Sequence, residues 1–420
     1  MSDNADSVIA EALQVSQQGP GAISFELNDE QKQLRDWVHE FAEKEVRPVA
    51  QEWDEREETP WPVIEKAAEI GLYSYEFVVR AFADPTGLTL PVVSEELFWG
   101  CAGIGLSIFG TQLAVAGIYA NGTPEQIVKW VPACYGQPGD VKLGAWCMTE
   151  PNAGSDVASL RTTARKEGNE WIINGQKIFI TNGGIADVHV VVATVEPELK
   201  HRGQATFIVE KGTPGLSQGK KEKKMGIRAS HTAEVIFDNV RIPEENLLGG
   251  EDRLMKRLEK ARKGERTGGS GMLQTLEMSR PIIGAQAIGI ARAAYEFALE
   301  YAKEREQFGR KIIENQAIAF KLADMKTEID AARLLVWRGA WLGRNGKYEN
   351  AEGSMAKLKA SEVAVKVTEE AIQILGGYGY IRDFPVEKWH RDAKIYTIFE
   401  GTSEIQRLVI SRAISGMHIE

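Results

Sequence analysis

Trp171-Ile172-Ile173-Asn174-Gly175-Gln176-Lys177-Ile178-Phe179-Ile180-Thr181 sets β-branched and aromatic side chains on either side of an Asn-Gly pair. Such residues favour extended backbone, and Asn-Gly is the strongest short signal for a type I′ turn, so a β-hairpin is expected here. Further β-rich runs follow at 188–194, 205–209 and 234–237, separated by glycine and proline. Several short strands between residues 143 and 248 point to a small barrel or sandwich.

Both flanks read as helical. On the N-terminal side Asn28 and Gln31 have the spacing of a capping box, and Leu34, Trp37, Val38 and Phe41 then recur on one face. Pro48 stands near the end of that helix, and helical patterns follow at 63–72, 90–100 and 124–130. On the C-terminal side Met325, Ile329, Ala332 and Val336 lie at i, i+4, i+7 and i+11, the spacing of a buried bundle face. The order helices, strands, helices makes this an α+β chain. Residues 251–266 carry seven basic and four acidic side chains before the glycine-rich 268–271. Leu254, Leu258 and Ala261 keep helical spacing there, so this charged insertion reads as a short amphipathic surface helix on a hinge, either solvated or serving as a partner-docking or subunit-contact element. The expected domains are a disordered tail (1–24), a helical domain (25–142), the β-domain (143–250), the insertion (251–272) and a helical bundle (273–420).

Composition narrows the classes of function. With 420 residues, 43% hydrophobic and 26% charged, the chain can bury a large core and keep room for a bulky ligand. Fifty basic against 60 acidic side chains give a net charge of −10, which argues against nucleic-acid binding. No apolar run in the bare sequence reads as long enough to span a bilayer, so no membrane insertion is expected. Three scattered cysteines make neither a disulfide framework nor a zinc site, the six histidines do not cluster, and residues 1–20 lack signal-peptide features. The expectation is a cytoplasmic protein without a metal.

Taken singly, the chemical signals are weak. Gly376-Gly377-Tyr378-Gly379 follows a helical pattern, which suits a helix C-cap better than a dinucleotide fingerprint. Arg305 alone reads as a solvated charge, Phe179 as strand core and Glu400 as a capping carboxylate. Five strings in order change that reading: Thr149-Glu150-Pro151-Asn152-Ala153-Gly154-Ser155-Asp156, then 174–183, Arg305-Glu306-Gln307-Phe308-Gly309, Gln373-Ile374-Leu375-Gly376-Gly377-Tyr378-Gly379, and Arg391-Asp392-Ala393-Lys394-Ile395-Tyr396 leading to Glu400. Together, over roughly residues 25 to 415, the chain resembles the acyl-CoA dehydrogenase family, most of all its medium- and short-chain members.

The resemblance implies an N-terminal helical domain, a central small β-barrel and a C-terminal four-helix bundle. It implies FAD as cofactor, with Met148, Thr149, Phe179 and Thr181 at the flavin ring and Ser155, Thr402 and Glu404 among the cofactor residues. Many relatives carry tryptophan where Phe179 stands, so the aromatic wall is kept and an indole donor lost. Arg305, Phe308, Gln316, Gln373 and Gly377 match residues that reach the FAD of a neighbouring subunit, which implies a homo-oligomer, usually a tetramer. Ser155, Glu277, Arg280, Gly401 and Arg412 match positions on the acyl-CoA side. Glu400 matches the catalytic base that removes the α-proton while a β-hydride passes to flavin N5, yielding a trans-2-enoyl-CoA whose electrons go to an electron-transferring flavoprotein.

Some relatives place the base on another helix, at the position of Ser279 here; Glu277, two residues away, would point about 200° round the helix and is a poor substitute. Residues 96–106 lack the arginine by which dicarboxylyl relatives clamp a distal carboxylate, so an apolar acyl chain is expected. The alternatives are a non-catalytic acyl-CoA- or flavin-binding subunit, which would lack the base, and an acyl-CoA oxidase, which would carry an additional helical domain.

Overall fold

The computed structural model describes residue 24 and residues 26–265 and 271–419, the side chains of 271–278 excepted. The expected tail at 1–24 therefore lies outside the described residues, save Ser24. Helix α1 (Asp29–Phe41) starts as its sequence requires. Asn28 Oδ1 accepts from the Gln31 N–H at 2.8 Å, and Gln31 Oε1 accepts from the Asn28 N–H at 3.1 Å. Val38 and Phe41 are buried, with Leu34 and Trp37 packed against the same core. Helices α2 (Ala50–Arg56), α3 (Trp61–Glu69) and α4 (Tyr75–Ala83) lead to α5 (Thr89–Gly100), α6 (Ala102–Phe109), α7 (Thr111–Asn121) and α8 (Pro124–Ala133).

Every residue of α5 and α6 is buried. A helix covered on all sides has no polar face, which is why periodicity in the sequence does not mark α6. The segments Ala102–Asn121 and Ser279–Glu304 are, by length and hydropathy, apolar enough to cross a membrane, contrary to the expectation from the bare sequence. They are 83% and 67% buried, as core helices are. Two carboxylates of α5 survive in this interior because arginines from far along the chain meet them. Arg292 binds Glu95 at 2.8 Å and also pairs with Glu96, while Arg333 grips Glu95 through Nε at 2.8 Å and Nη2 at 2.9 Å.

The expected strands, joined by others, assemble into one curled seven-stranded sheet. A small hairpin, β1 (Gly136–Gln137) and β2 (Asp140–Val141), precedes it. The sheet comprises β3 (Gly144–Cys147), β4 (Thr163–Glu167), β5 (Glu170–Thr181), β6 (Val188–Thr194), β7 (Gln204–Glu210), β8 (Leu216–Lys221) and β9 (Thr232–Pro243), in the order β3-β6-β4-β5-β9-β8 with β7 on β6. The hairpin expected at Asn174-Gly175 is absent. β5 runs straight through it, and the reversal lies at Gly168-Asn169, where Glu167 faces Glu170. Asn174-Gly175 forms a bulge instead, with a register shift against β9 between Ile173 and Gly175. Asn174 Oδ1 accepts from the Asn239 N–H at 2.8 Å, and Gly175, at φ +152°, lets Thr162 approach so closely that a methyl would lie 2.4 Å from its Oγ1. Gly175→Ala is expected to cost about 1–3 kcal/mol in a denaturation experiment, through overpacking against backbone and backbone strain.

The C-terminal part is helical again. Helix α9 (Gly250–Arg262) buries Leu254, Leu258 and Ala261, as their spacing predicts. It is docked on the β-domain rather than free: Arg257 donates to the Gln204 carbonyl, Arg262 pairs with Glu196, and Lys166 pairs with Glu251. Residues 266–270 of the expected hinge lie outside the described residues. Long helices α10 (Gly271–Glu304), α11 (Gln316–Arg344) and α12 (Glu352–Leu375) pack together, and Met325, Ile329, Ala332 and Val336 are buried as expected. Gly376, at φ +62°, ends α12, and its N–H bonds the carbonyls of Gln373 and Ile372. Helices α13 (Val386–Lys394) and α14 (Ser403–Ser415) complete the chain. On α13 the buried Lys388 pairs with Asp392 at 2.6 Å and reaches Cys101 Sγ at 3.2 Å. Asp392 also accepts the Ile227 N–H at 2.5 Å, so this one pair joins α13, the loop before β9 and the turn between α5 and α6.

Candidate functional site

Glu400 sits in the tight link between α13 and α14. Thr402 caps α14 by accepting from the Ile405 N–H at 3.2 Å, and the two residues before it take left-handed backbone, Glu400 at φ +56° and Gly401 at φ +90°. Glycine adopts this region freely, whereas a glutamate does so at a cost of about 1–2 kcal/mol. Side chains hold the turn. Gln406 Nε2 donates to the carbonyls of Glu400 (3.1 Å) and Gly401 (2.9 Å), and the fully buried Lys357 donates to the Gly401 carbonyl at 2.6 Å.

Glu400 Oε2 accepts from Ser279 Oγ at 3.3 Å. Burial raises the Glu400 pKa, and Ser279, Lys357 and Arg280 oppose that rise only in part. Arg280, itself buried, donates to Ser354 Oγ at 2.7 Å. Burial likewise pushes Lys357 down, to about 8, against the pull of Glu400. The structure thus gathers Glu400, Gly401, Thr402 and Arg280, with Ser279, at one place. Glu404 is exposed in the first turn of α14, where backbone N–H and Thr402 lower its pKa. The Glu277 side chain lies outside the described residues. Arg412 does not join the cluster: it is exposed and donates to the Ile419 carbonyl at 2.8 Å.

A second group forms on the β-domain. Between Lys177 and Ile180 the register of β5 against β9 shifts, and Phe179 takes φ +59° with 63% of its surface exposed. A bulge re-aims a side chain in this way. Behind it the Ile178 N–H donates to the Thr149 carbonyl at 2.8 Å, and the buried Lys177 donates to the Met148 carbonyl at 2.9 Å and to Glu150 at 2.8 Å. Thr181 lies against the break between α6 and α7, where a methyl on Gly110 would come 2.8 Å from its Cγ2. Met148, Thr149, Phe179 and Thr181 are therefore neighbours around one projecting aromatic ring, while Ser155 is exposed in the loop after them.

A third group lines a cleft of about 430 Å³ between the end of α10 and the end of α12, where Arg305 faces Gly376, Gly377 and Tyr378. The Arg305 guanidinium stands 5.6 Å from the Tyr378 ring. Beyond Arg305, β10 (Glu306–Gln307) and β11 (Arg310–Lys311) form a hairpin whose two turn residues, Phe308 (φ +55°) and Gly309 (φ +74°), have the signs of a type I′ turn. Phe308 is 97% exposed at its tip. Gln316, the first residue of α11, and Gln373, near the end of α12, are exposed as well. Lys357 and Gln406 were not among the residues expected from sequence: one looks like any helix lysine, and the other carries no motif of its own.

Residues 28–136 match the model for the acyl-CoA dehydrogenase N-terminal domain, 145–240 that for the middle domain and 267–415 that for the C-terminal domain. An acyl-CoA dehydrogenase of Bacillus subtilis is 43% identical, over 93% of this chain and 99% of its own. A short-chain-specific acyl-CoA dehydrogenase of Clostridium acetobutylicum is 41% identical, over 93% and 100%. The solved structure of butyryl-CoA dehydrogenase from Megasphaera elsdenii superposes with a TM-score of 0.82 at 38% identity, covering 94% of this chain and all of that one (100%).

Proposed function

The chain belongs to the acyl-CoA dehydrogenase family, and on that premise we propose that Glu400 is the base that removes the α-proton of an acyl-CoA thioester to give a trans-2-enoyl-CoA. The observation that carries this reading is the Glu400 turn: a carboxylate in strained backbone, held from both sides and made more basic by burial. A base that must take a weakly acidic C–H proton gains from such an environment. Among the described residues, no acceptor engages the Glu400 N–H, which leaves it available as a donor to the thioester oxygen, where charge develops as the proton leaves.

The residues present fit FAD. The exposed Phe179 ring offers a flat apolar wall, Thr149 and Thr181 are its neighbours on the β-domain, and Arg305 beside Gly376-Gly377 suits a diphosphate. When bound, the flavin supplies the acceptor for the β-hydride. The bare Phe308 tip supports the reading that Arg305, Phe308, Gln316, Gln373 and Gly377 serve the FAD of a neighbouring copy, in a homotetramer. An electron-transferring flavoprotein is the proposed acceptor, and an unbranched short acyl group the proposed substrate. The names of the Clostridium and Megasphaera relatives support the latter.

Purified protein is expected to show a flavin spectrum that bleaches when butyryl-CoA is added without air. It should stay bleached until an electron acceptor is supplied. A colourless protein that takes up no FAD, or a flavin untouched by any acyl-CoA, would refute the reading. Arg305→Ala is expected to weaken FAD retention by about tenfold or more, the effect of losing a charge-assisted contact to phosphate. Flavin fluorescence in the filtrate of a diluted sample measures it directly.

A further inference from the structure

We propose that Lys357 is a positioning residue for the base: from α12 it fixes the Gly401 carbonyl and places a positive charge that keeps the neighbouring Glu400 carboxylate ionised. The inference rests on the assignment of Glu400 as base and deepens it. Three observations carry it. Lys357 is fully buried within α12, although lysine is almost never so placed without a partner. Its Nζ donates at 2.6 Å to a carbonyl, a neutral acceptor, rather than to a carboxylate. The carbonyl it holds belongs to Gly401, the residue after the base, in the left-handed pair whose strain needs an external hold.

The groups facing Glu400 can be named element by element. From α10 come Ser279, a neutral donor at 3.3 Å, and Arg280, whose charge is shared with the Ser354 hydroxyl. From α12 comes Lys357, and from α14 Gln406, which holds the carbonyls and carries no charge, and Glu404, exposed and acting on Lys357. Lys357 and Arg280 are therefore the cations that offset the burial of Glu400, and only Lys357 also grips its turn. The buried ammonium in turn loses part of its affinity for the proton, which is the expected price of standing in a dry site.

The sign follows. Removing a cation beside a carboxylate raises the carboxylate's pKa, so the acidic limb of any step that needs ionised Glu400 moves to higher pH. The test uses the FAD-loaded protein and two readouts. The first is the rate of flavin bleaching by butyryl-CoA against pH. The second is exchange of the α-protons of 3,3-dimethylbutyryl-CoA in D2O, followed by NMR; this thioester has no β-hydrogen, so exchange reports proton removal alone. In Lys357→Met the limb of both profiles is expected to move up by about one pH unit, so that rates below the limb fall about tenfold. Lys357→Arg should keep the limb in place, and Lys357→Gln, which retains a donor without charge, should move it as Met does. If Lys357→Met does not fold, Lys357→Gln decides.

A uniform loss of rate with the limb unmoved would overturn the inference and leave Lys357 structural. Wild-type protein that neither bleaches nor exchanges would instead refute the assignment of the base itself.

Discussion

Glu400→Gln is expected to lower the rate of flavin bleaching by acyl-CoA by about 10³-fold, within the range lost when a general base is removed, while the visible spectrum of bound FAD stays as it was. Glutamine keeps the shape and still accepts from Ser279, so the turn and its carbonyl contacts to Gln406 and Lys357 are preserved. Stability should move the other way. The folded protein raises the Glu400 pKa above its ordinary 4.5, so the unfolded chain releases that proton first as pH rises. The stability tied to this group is full below the ordinary carboxylate range and is lost as pH climbs through the folded value. At neutral pH the variant is therefore expected to be at least as stable as the wild type. A thermal melt that falls by several degrees would show that the carboxylate holds the turn together, and retained turnover would overturn its role.

Lys388→Met is expected to be the most damaging substitution for stability, at about 3–5 kcal/mol by denaturant titration. Lys388 and Asp392 are both buried, and burial alone would lower the Lys388 pKa, but Asp392, with Cys101 and Asp54, outweighs it and the ammonium is held above its usual range. Without it Asp392 keeps a charge in the interior while still bound to the Ile227 N–H. The double variant Lys388→Met/Asp392→Asn should recover more than half of the loss, because asparagine leaves no charge and still accepts that N–H. A single-variant loss below about 1 kcal/mol, the value of an exposed pair, would mean that water reaches this pair.

Much of the architecture was legible because local rules and tertiary packing agree. The Asn28–Gln31 cap, the Met325–Val336 stripe and the Leu254–Ala261 face all appear where spacing puts them. The rest failed for physical reasons. Asn174-Gly175 has the composition of a turn, yet what it satisfies is a bulge against β9, a strand far along the chain, with Thr162 pressed on its backbone. Strands β4 and β8 are largely polar and partly exposed, so alternation does not reveal them. At the site Glu400 was legible only through the company of other strings. Sequence alone makes Ser279 only the place where some relatives put the base, whereas the structure shows its hydroxyl bonded to Glu400. Lys357 and Gln406 act through backbone carbonyls, and no residue pattern in one sequence reports which carbonyl a distant side chain will find.

The carboxylates of α5 carry a consequence for how the polypeptide comes into being. Glu95 and Glu96 are answered by Arg292 and Arg333, close to two hundred residues or more further on. A ribosome that has released the first third of the chain has delivered two apolar helices and two acidic groups without the arginines that meet them. Loop closure over that distance must follow synthesis rather than accompany it. The nascent N-terminal block is thus expected to stay open, and to rely on protection from aggregation, until α10 and α11 have emerged. Stalled chains ending before residue 292 should be cut by protease within α5, and chains extended past residue 344 should resist.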